Sequence, residues 1–315
     1  MQQQQYLYII NFNSNESELS KLESRQLFNE DVAGKMHFSD IEIVPSSSPF
    51  IKKRMDILYS SNNYQDLIDK VEKMEIKVEG FKAEYIMLEG DTIGYKERLG
   101  QLRDIGYRIE GEPDYYNPTV TYGLCFFEDY WYFGTVIRDD AEWQKHNQKP
   151  CSFSNSLSIN TAKALVNIAS KGDKSKAIID ACCGVGTVLL EGCFSGFNIE
   201  GCDINWKASN HTQKNLEHYQ YTTNVYNCDI KDLDKTYDAA IIDLPYNLYS
   251  ASSDEIAFNI IEATALKAPR VVIISITNID EFIQKAGLKT IDKCTIDKIG
   301  KVKFTRYLHV CERAE

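Results

Sequence analysis

In the second half of the chain, short apolar runs recur between longer stretches whose apolar residues keep helical spacing. Ala177-Ile178-Ile179, Ala239-Ala240-Ile241-Ile242 and Val271-Val272-Ile273-Ile274 are the clearest of the runs. With their weaker counterparts they predict strands at 178–180, 198–203, 224–229, 238–243 and 271–276. Helices are predicted at 187–194, 206–219, 253–267 and 280–286, and one more at 160–169 with Ala164, Leu165, Val166 and Ile168 on its apolar stripe. Alternation of strand and helix through short loops means a parallel sheet covered by helices on both faces. The end departs from this pattern, because 289–297 and 303–311, joined around Gly300, read as an antiparallel hairpin.

The first half has a different rhythm. Strands are predicted at 6–10, 41–44 and 81–88, and helices at 16–28, 64–74 and 95–104, the last closed by Gly106. Pro45-Ser46-Ser47-Ser48-Pro49 reads as a loop. Two runs rich in aromatic and β-branched residues, 119–127 and 130–137, flank Glu128-Asp129 and predict a β-hairpin. Tyr122, Phe126, Trp131, Phe133 and their neighbours then pack one face into a core, and exposed members are available to stack on bases. This is a small α+β unit. The polar stretch 138–150 separates the two halves, giving domains at 1–145 and 146–315.

Composition changes the picture only in part. A length of 315 residues allows one large or two medium domains. The net charge of −11 argues against a protein that wraps nucleic acid by charge alone, and leaves room for a local basic face. Candidates are Lys52-Lys53-Arg54, the series Arg98, Arg103 and Arg108, and the group Lys298, Lys301, Lys303 and Arg306. Nine cysteines without a Cys-x-x-Cys pair, together with five scattered histidines, read as free thiols and no metal site. The first residues, Met1-Gln2-Gln3-Gln4-Gln5, lack the charged and apolar regions of a secretion signal, and no apolar span is long enough for a membrane. The expectation is a cytoplasmic protein with no membrane partner.

The chemistry collects where the predicted strands end. The first ends in Asp180 and passes through Cys182-Cys183-Gly184-Val185-Gly186-Thr187 into a helix. Gly184 and Gly186 let a ligand approach the backbone, and Thr187 is placed to cap a helix whose free N–H groups favour anions. The next strand ends in Asp203, the third in Asp229, and the fourth in Asp243-Leu244-Pro245-Tyr246. Four successive acids at the edge where open α/β sheets bind ligands point to a nucleotide-type ligand. A dinucleotide oxidoreductase would want a third glycine at position 189, where this chain has Leu189, and gives an Asp-x-Pro-Tyr turn no role.

That motif order resembles class I S-adenosylmethionine (SAM) methyltransferases, in particular those that methylate the exocyclic amine of a base. The resemblance implies a Rossmann-like α/β fold whose mainly parallel sheet is closed by an antiparallel hairpin. It implies SAM as cofactor. Asp180 and the loop of Gly184, Gly186 and Thr187 would face its methionine end, Asp203 its ribose, and Asp229 with the Ile230 N–H its adenine, with Cys182 and Ile204 also among the cofactor-binding residues. Asp243 and the Leu244 carbonyl would accept the two N–H groups of the target amine, Pro245 would fix the turn, and Tyr246 would stack on the base. Trp143, His146, Lys149-Pro150 and the lead-in with Phe153 and Ser154 are similar to THUMP-linked tRNA guanosine N2-methyltransferases. Residues 98–109, Pro118 and the following hairpin are similar to the later part of a THUMP domain, an RNA-binding module. Many members carry Asp-Pro-Pro-Tyr and Phe-Cys-Gly-Ser-Gly-Thr where this chain has Asp243-Leu244-Pro245-Tyr246 and residues 182–187. The expected activity is methyl transfer to the 2-amino group of a guanosine in tRNA. An adenine 6-amino methyltransferase acting on DNA or RNA, and an inactive RNA-binding protein of this fold, stay open as alternatives. No protein partner is named by the sequence.

Overall fold

The computed structural model describes residues 4–32, 34–154, 156–245, 251–298 and 304–314. The chain divides into two compact units, Met1–Asn11 with Ala33–Pro45 and Ile51–Asp139, and Phe12–Val32 with Ser46–Phe50 and Asp140–Glu315. Along residues 1–139 come β1 (Tyr6–Ile10), α1 (Ser17–Phe28), β2 (Met36–Ser39), β3 (Ile51–Ser61), α2 (Tyr64–Lys73), β4 (Phe81–Tyr85), α3 (Tyr95–Gly106), β5 (Val120–Phe127) and β6 (Tyr130–Arg138).

The first unit is a six-stranded sheet in the order β2-β1-β3-β6-β5-β4. Only the β4–β5 pair is parallel among these contacts. The hairpin of β5 and β6 buries Tyr122, Trp131 and Phe133, whereas Tyr115 and Tyr116 outside it are exposed. Two expectations change here. No strand forms at 41–44; Tyr8 hydroxyl donates to the Ile41 carbonyl at 2.6 Å and accepts the Ile43 N–H at 2.7 Å, so this segment is satisfied by one side chain instead of a ladder. The central strand β3 carries the Lys-Lys-Arg run that reads as a basic face. In it Lys52 pairs with Asp139 at 3.4 Å, Lys53 with Glu84 at 3.2 Å, and buried Arg54 with Asp56 at 2.6 Å. Those charges are already spent inside the protein.

The division into units is not sequential, unlike the expected boundary near 146. Helix α1 and residues 46–50 belong with the C-terminal part because buried polar side chains hold them there. Glu23 accepts from Asn167 at 2.6 Å and from Ser48 at 2.7 Å, and Arg25 grips Asp292 with two bonds of 3.0 and 2.9 Å. The rest of this unit runs α4 (Ile159–Ser170), β7 (Ala177–Asp180), α5 (Thr187–Phe194), β8 (Asn198–Cys202), α6 (Trp206–His218), β9 (Val225–Tyr226), β10 (Ala239–Asp243), α7 (Ala251–Lys267), β11 (Arg270–Ser275), α8 (Asp280–Lys285), β12 (Leu288–Lys298) and β13 (Phe304–Arg313).

Its sheet has the order β12-β13-β11-β10-β7-β8-β9. The five strands from β11 to β9 are parallel, and β13 lies antiparallel between β11 and β12. The continuous apolar runs are the inner strands: Ile178, Ile179, Ala239 to Ile242 and Val271 to Ile274 are all fully buried, as strands covered on both faces require. The order reverses direction between β7 and β10, so the chain leaves these neighbouring strands on opposite sides and opens a crevice at their C-terminal ends. Gly300, Lys301 and Lys303, part of the expected hairpin turn and basic group, lie outside the described residues; Arg306 is buried.

Candidate active site

The crevice is a cleft of about 310 Å³ lined by Asp180, Cys182, Gly184 and Thr187 after β7, by Asp203 and Ile204 after β8, and by Asp243, Leu244 and Pro245 after β10. Phe153, Ser156 and Leu157 close it from the lead-in segment. Most of the residues singled out in the sequence therefore meet at one place. The exceptions are informative. Gly186 does not line the cleft; its Cβ direction faces Thr212 instead. Ser154 is exposed and does not line the cleft, its place being taken by Ser156 and Leu157. Asp229 lines a neighbouring hollow that shares Ile204 with the cleft, and there it accepts the Lys231 N–H at 3.1 Å. The Ile230 side chain is core, which leaves only its backbone to a ligand. Tyr246 lies outside the described residues.

The loop between β7 and α5 owes its shape to two glycines with positive φ, +56° at Gly184 and +76° at Gly186. A Cβ at Gly186 would sit 2.6 Å from Thr212, whereas one at Gly184 would meet nothing closer than 4.0 Å. Gly186, not Thr187, is the residue that caps α5; Thr187 is the first helical residue, buried, with no side-chain cap bond. The positive φ at the cap position favours glycine there.

Asp203 fixes this loop to its neighbour. One carboxylate oxygen accepts the Gly184 N–H at 2.9 Å and the other accepts the Asn205 N–H at 2.8 Å. Helix α6 holds the other side of the loop: Thr212 donates to the Gly184 carbonyl at 2.8 Å, and Asn215 donates to the Val185 carbonyl at 2.8 Å. The Asn215 amide also donates to the Cys151 carbonyl at 2.9 Å and accepts the Cys151 N–H at 2.8 Å. It thereby ties the lead-in segment to the loop. Sequence reading passed over Thr212 and Asn215, although two polar residues three apart on the buried face of a predicted helix were a signal.

Asn215→Ala would leave the buried Val185 carbonyl and the part-buried Cys151 N–H and carbonyl without partners, each costing on the order of 1 kcal/mol. We expect a loss of about 2–4 kcal/mol. Urea unfolding measures it, and a change below about 0.5 kcal/mol would show that water or a shifted neighbour serves those groups equally well.

The lead-in is pegged again upstream. Trp143 is buried, and buried His146 places Nδ1 2.7 Å from Glu191 and Nε2 3.0 Å from the Tyr221 hydroxyl. Lys163 completes the group with bonds to Glu191 at 3.3 Å and Ser195 at 3.0 Å. These residues anchor the approach to the cleft and do not line it.

Electrostatically the cleft gathers three acids, Asp180, Asp203 and Asp243. Burial, and next the charge of Asp243, push the Asp180 carboxyl well above the usual carboxylate range, and Cys182 N–H opposes this by donating to it. Asp203 is raised too, by burial, against the two backbone bonds that favour its charged form. Burial also drives the Cys182 and Cys183 thiols far up, so neither is a thiolate nucleophile. Among the described residues, no lysine or arginine lines the cleft. No group of acids, histidines and cysteines among the described residues is arranged to hold a metal.

The sheet order of the second unit and a ligand cleft at its switch point define the class I methyltransferase fold. TrmN from Thermus thermophilus has this fold, with a TM-score of 0.50 at 14% identity over 98% of this chain and 99% of that one. By sequence, residues 146–257 match the family described as UPF0020, RMKL-like, methyltransferase domain. The chain is 32% identical over 125 residues to the tRNA (guanine(10)-N2)-dimethyltransferase of Methanothermobacter thermautotrophicus, covering 38% of this chain and 36% of that protein. It is 24% identical over 213 residues to the protein of the same name from Methanocaldococcus jannaschii, covering 62% of this chain and 58% of that protein. The matches thus span about a third and somewhat over half of these relatives' lengths.

Proposed function

We propose that this chain is a SAM-dependent methyltransferase acting on the exocyclic 2-amino group of a guanosine in tRNA. The observation that carries the reading is the position of Asp243, Leu244 and Pro245 on the same cleft as Asp180 and Asp203. The two named relatives support the tRNA guanosine substrate.

The donor set fits the cofactor. Bound there, SAM supplies an electrophilic methyl group on a positively charged sulfur. Asp180 and Asp243 provide the negative charge that favours a cation, and Asp203, already holding two backbone N–H groups, keeps lone pairs for ribose hydroxyls. Open space at Gly184 lets a ligand lie against the backbone. On the substrate side, an exocyclic amine attacks poorly because its lone pair is delocalised into the ring. Asp243 and the Leu244 carbonyl accept its two N–H groups, which pulls the nitrogen toward a tetrahedral shape and localises its lone pair for attack on the methyl group. Leu244 is held for this by its own N–H, which donates to the Ile274 carbonyl at 3.0 Å. Positioning supplies most of the rate, and no strong base is needed. We read the first unit as a THUMP-like RNA-binding region and the protein as cytoplasmic. No helix among the described residues is long and apolar enough to cross a membrane.

The raised Asp180 carboxyl gives a pH prediction. Its folded-state pKa lies above the unfolded value, so its contribution to stability is complete below the unfolded pKa and is lost as pH rises through the folded one. A cation favours the ionised form, so SAM affinity should rise with pH over that interval. S-adenosylhomocysteine, which lacks the sulfonium charge, should change less. Calorimetric titration of both ligands across pH checks this, and parallel curves would count against a charge-based fit.

The function itself is tested by incubating the protein with methyl-labelled SAM and either unmodified tRNA transcripts or duplex DNA. Label in tRNA alone is expected. Label in DNA alone would replace the substrate with the adenine alternative.

A further inference from the structure

Helix α6 forms one wall of the cleft through Asn205, at its N-cap, and Ala208. Its thirteen residues include a single acid, Glu217. Lys207, His211, Lys214 and His218 recur at intervals of four, three and four, which places all four on one stripe of the helix. Lys207, Lys214 and His218 are exposed. In a chain of net charge −11 this concentration of basic side chains is unusual.

Several other basic groups are already paired. In the second unit Lys171, Lys231, Lys235 and Lys285 each pair with an acid, and the Lys52 to Arg54 run of the first unit is consumed in the same way. Neither Lys207 nor Lys214 has an ion pair among the described residues, so each charge faces water. The stripe also starts beside exposed rings. Trp206, 68% exposed, opens the helix next to Ile204, 74% exposed, on the cleft rim, and the Phe153 ring lies 5.5 Å from that of His211. The Asn215 bonds to Cys151 and the Tyr219 hydroxyl bond to the Lys145 carbonyl, 2.8 Å, hold the lead-in against the helix.

We propose that the Lys207–His211–Lys214–His218 stripe is a track for the phosphate backbone of the RNA substrate, and that Trp206 stacks on a base next to the target. This rests on the reading of the cleft as a tRNA methyltransferase site. From residue 207 to 218 the helix rises about 16 Å, enough to follow a few successive phosphates. Lysines without acid partners can neutralise phosphates and release their counterions, and an exposed indole beside the cleft meets an unpaired base regardless of its identity. The stripe leads away from the cleft rim, as a strand whose target nucleotide is held in the cleft would.

The test uses the full chain, SAM and unmodified tRNA transcripts. The double variant Lys207→Ala/Lys214→Ala is expected to raise the tRNA KM about tenfold or more. Loss of two phosphate contacts should also lower the slope of log affinity against log salt by about 1.4–1.8. SAM affinity should stay within about twofold, and Lys207→Arg/Lys214→Arg should restore tRNA binding. Trp206→Ala should weaken tRNA binding about fivefold or more with the salt slope unchanged. If the wild-type protein methylates tRNA and the double alanine variant matches it in KM and salt slope, the track is overturned and the function stands. If the wild-type protein binds SAM and no tRNA, both fall together.

Discussion

Asp243→Ala is expected to abolish methyl transfer, by a factor of at least about a hundred to a thousand, while SAM affinity stays within about tenfold, roughly 1.4 kcal/mol. The asymmetry follows from where the carboxylate sits. Asp243 ends β10 and leads into the Leu244-Pro245 turn, so its proposed partner is the target amine. It also raises the Asp180 carboxyl by repulsion. Removing it takes away the acceptor that directs the amine lone pair and, in the same stroke, eases ionisation of the acid that attracts the cofactor. Single-turnover methylation and calorimetric SAM titration on the same preparation separate the two effects. Loss of SAM binding equal to the loss of activity would undo the assignment.

For Asp203→Ala the expected pattern is the reverse. SAM binding should weaken by about tenfold to a hundredfold, the range for losing a charge-assisted hydrogen bond, with the rate at saturating SAM reduced far less. Part of the effect is indirect, because the same carboxylate holds the Gly184 and Asn205 N–H groups at 2.9 and 2.8 Å and so shapes the loop. Asp203→Asn keeps one acceptor oxygen and should fall between. A rate defect at saturating SAM as large as that of Asp243→Ala would contradict the division of labour between the two acids.

How much was legible depended on the range of the interaction. Strands buried on both faces write themselves as continuous apolar runs, so β7, β10 and β11 could be read directly, and the acids at their ends placed the cleft. The closing pair β12 and β13 was visible for a similar reason, as two runs separated by a turn. By contrast β3, central in its own sheet, opens with Lys52, Lys53 and Arg54, whose partners Asp139, Glu84 and Asp56 are known only once the sheet is formed. Composition read those charges as solvated. Helix α1 was predicted as a helix, and its membership of the second unit was not, because the bonds from Asn167 and Asp292 that hold it span well over a hundred positions. Within the site, Thr187 was assigned the cap position that Gly186 occupies. Thr212 and Asn215 escaped because their task is to hold a loop backbone; only their place on the buried face of the predicted helix marked them.

The most direct test of the account is the identity of the methylated nucleoside. Unmodified tRNA transcripts treated with the protein and methyl-labelled SAM would be digested to nucleosides and separated by mass. The expected label is in a guanosine carrying its methyl group on the 2-amino nitrogen, and it is absent from the Asp243→Ala reaction. Label in a 6-methylamino adenosine would contradict the substrate while keeping the acceptor geometry, and label on a ring nitrogen or ribose oxygen would contradict the role given to Asp243 and Leu244.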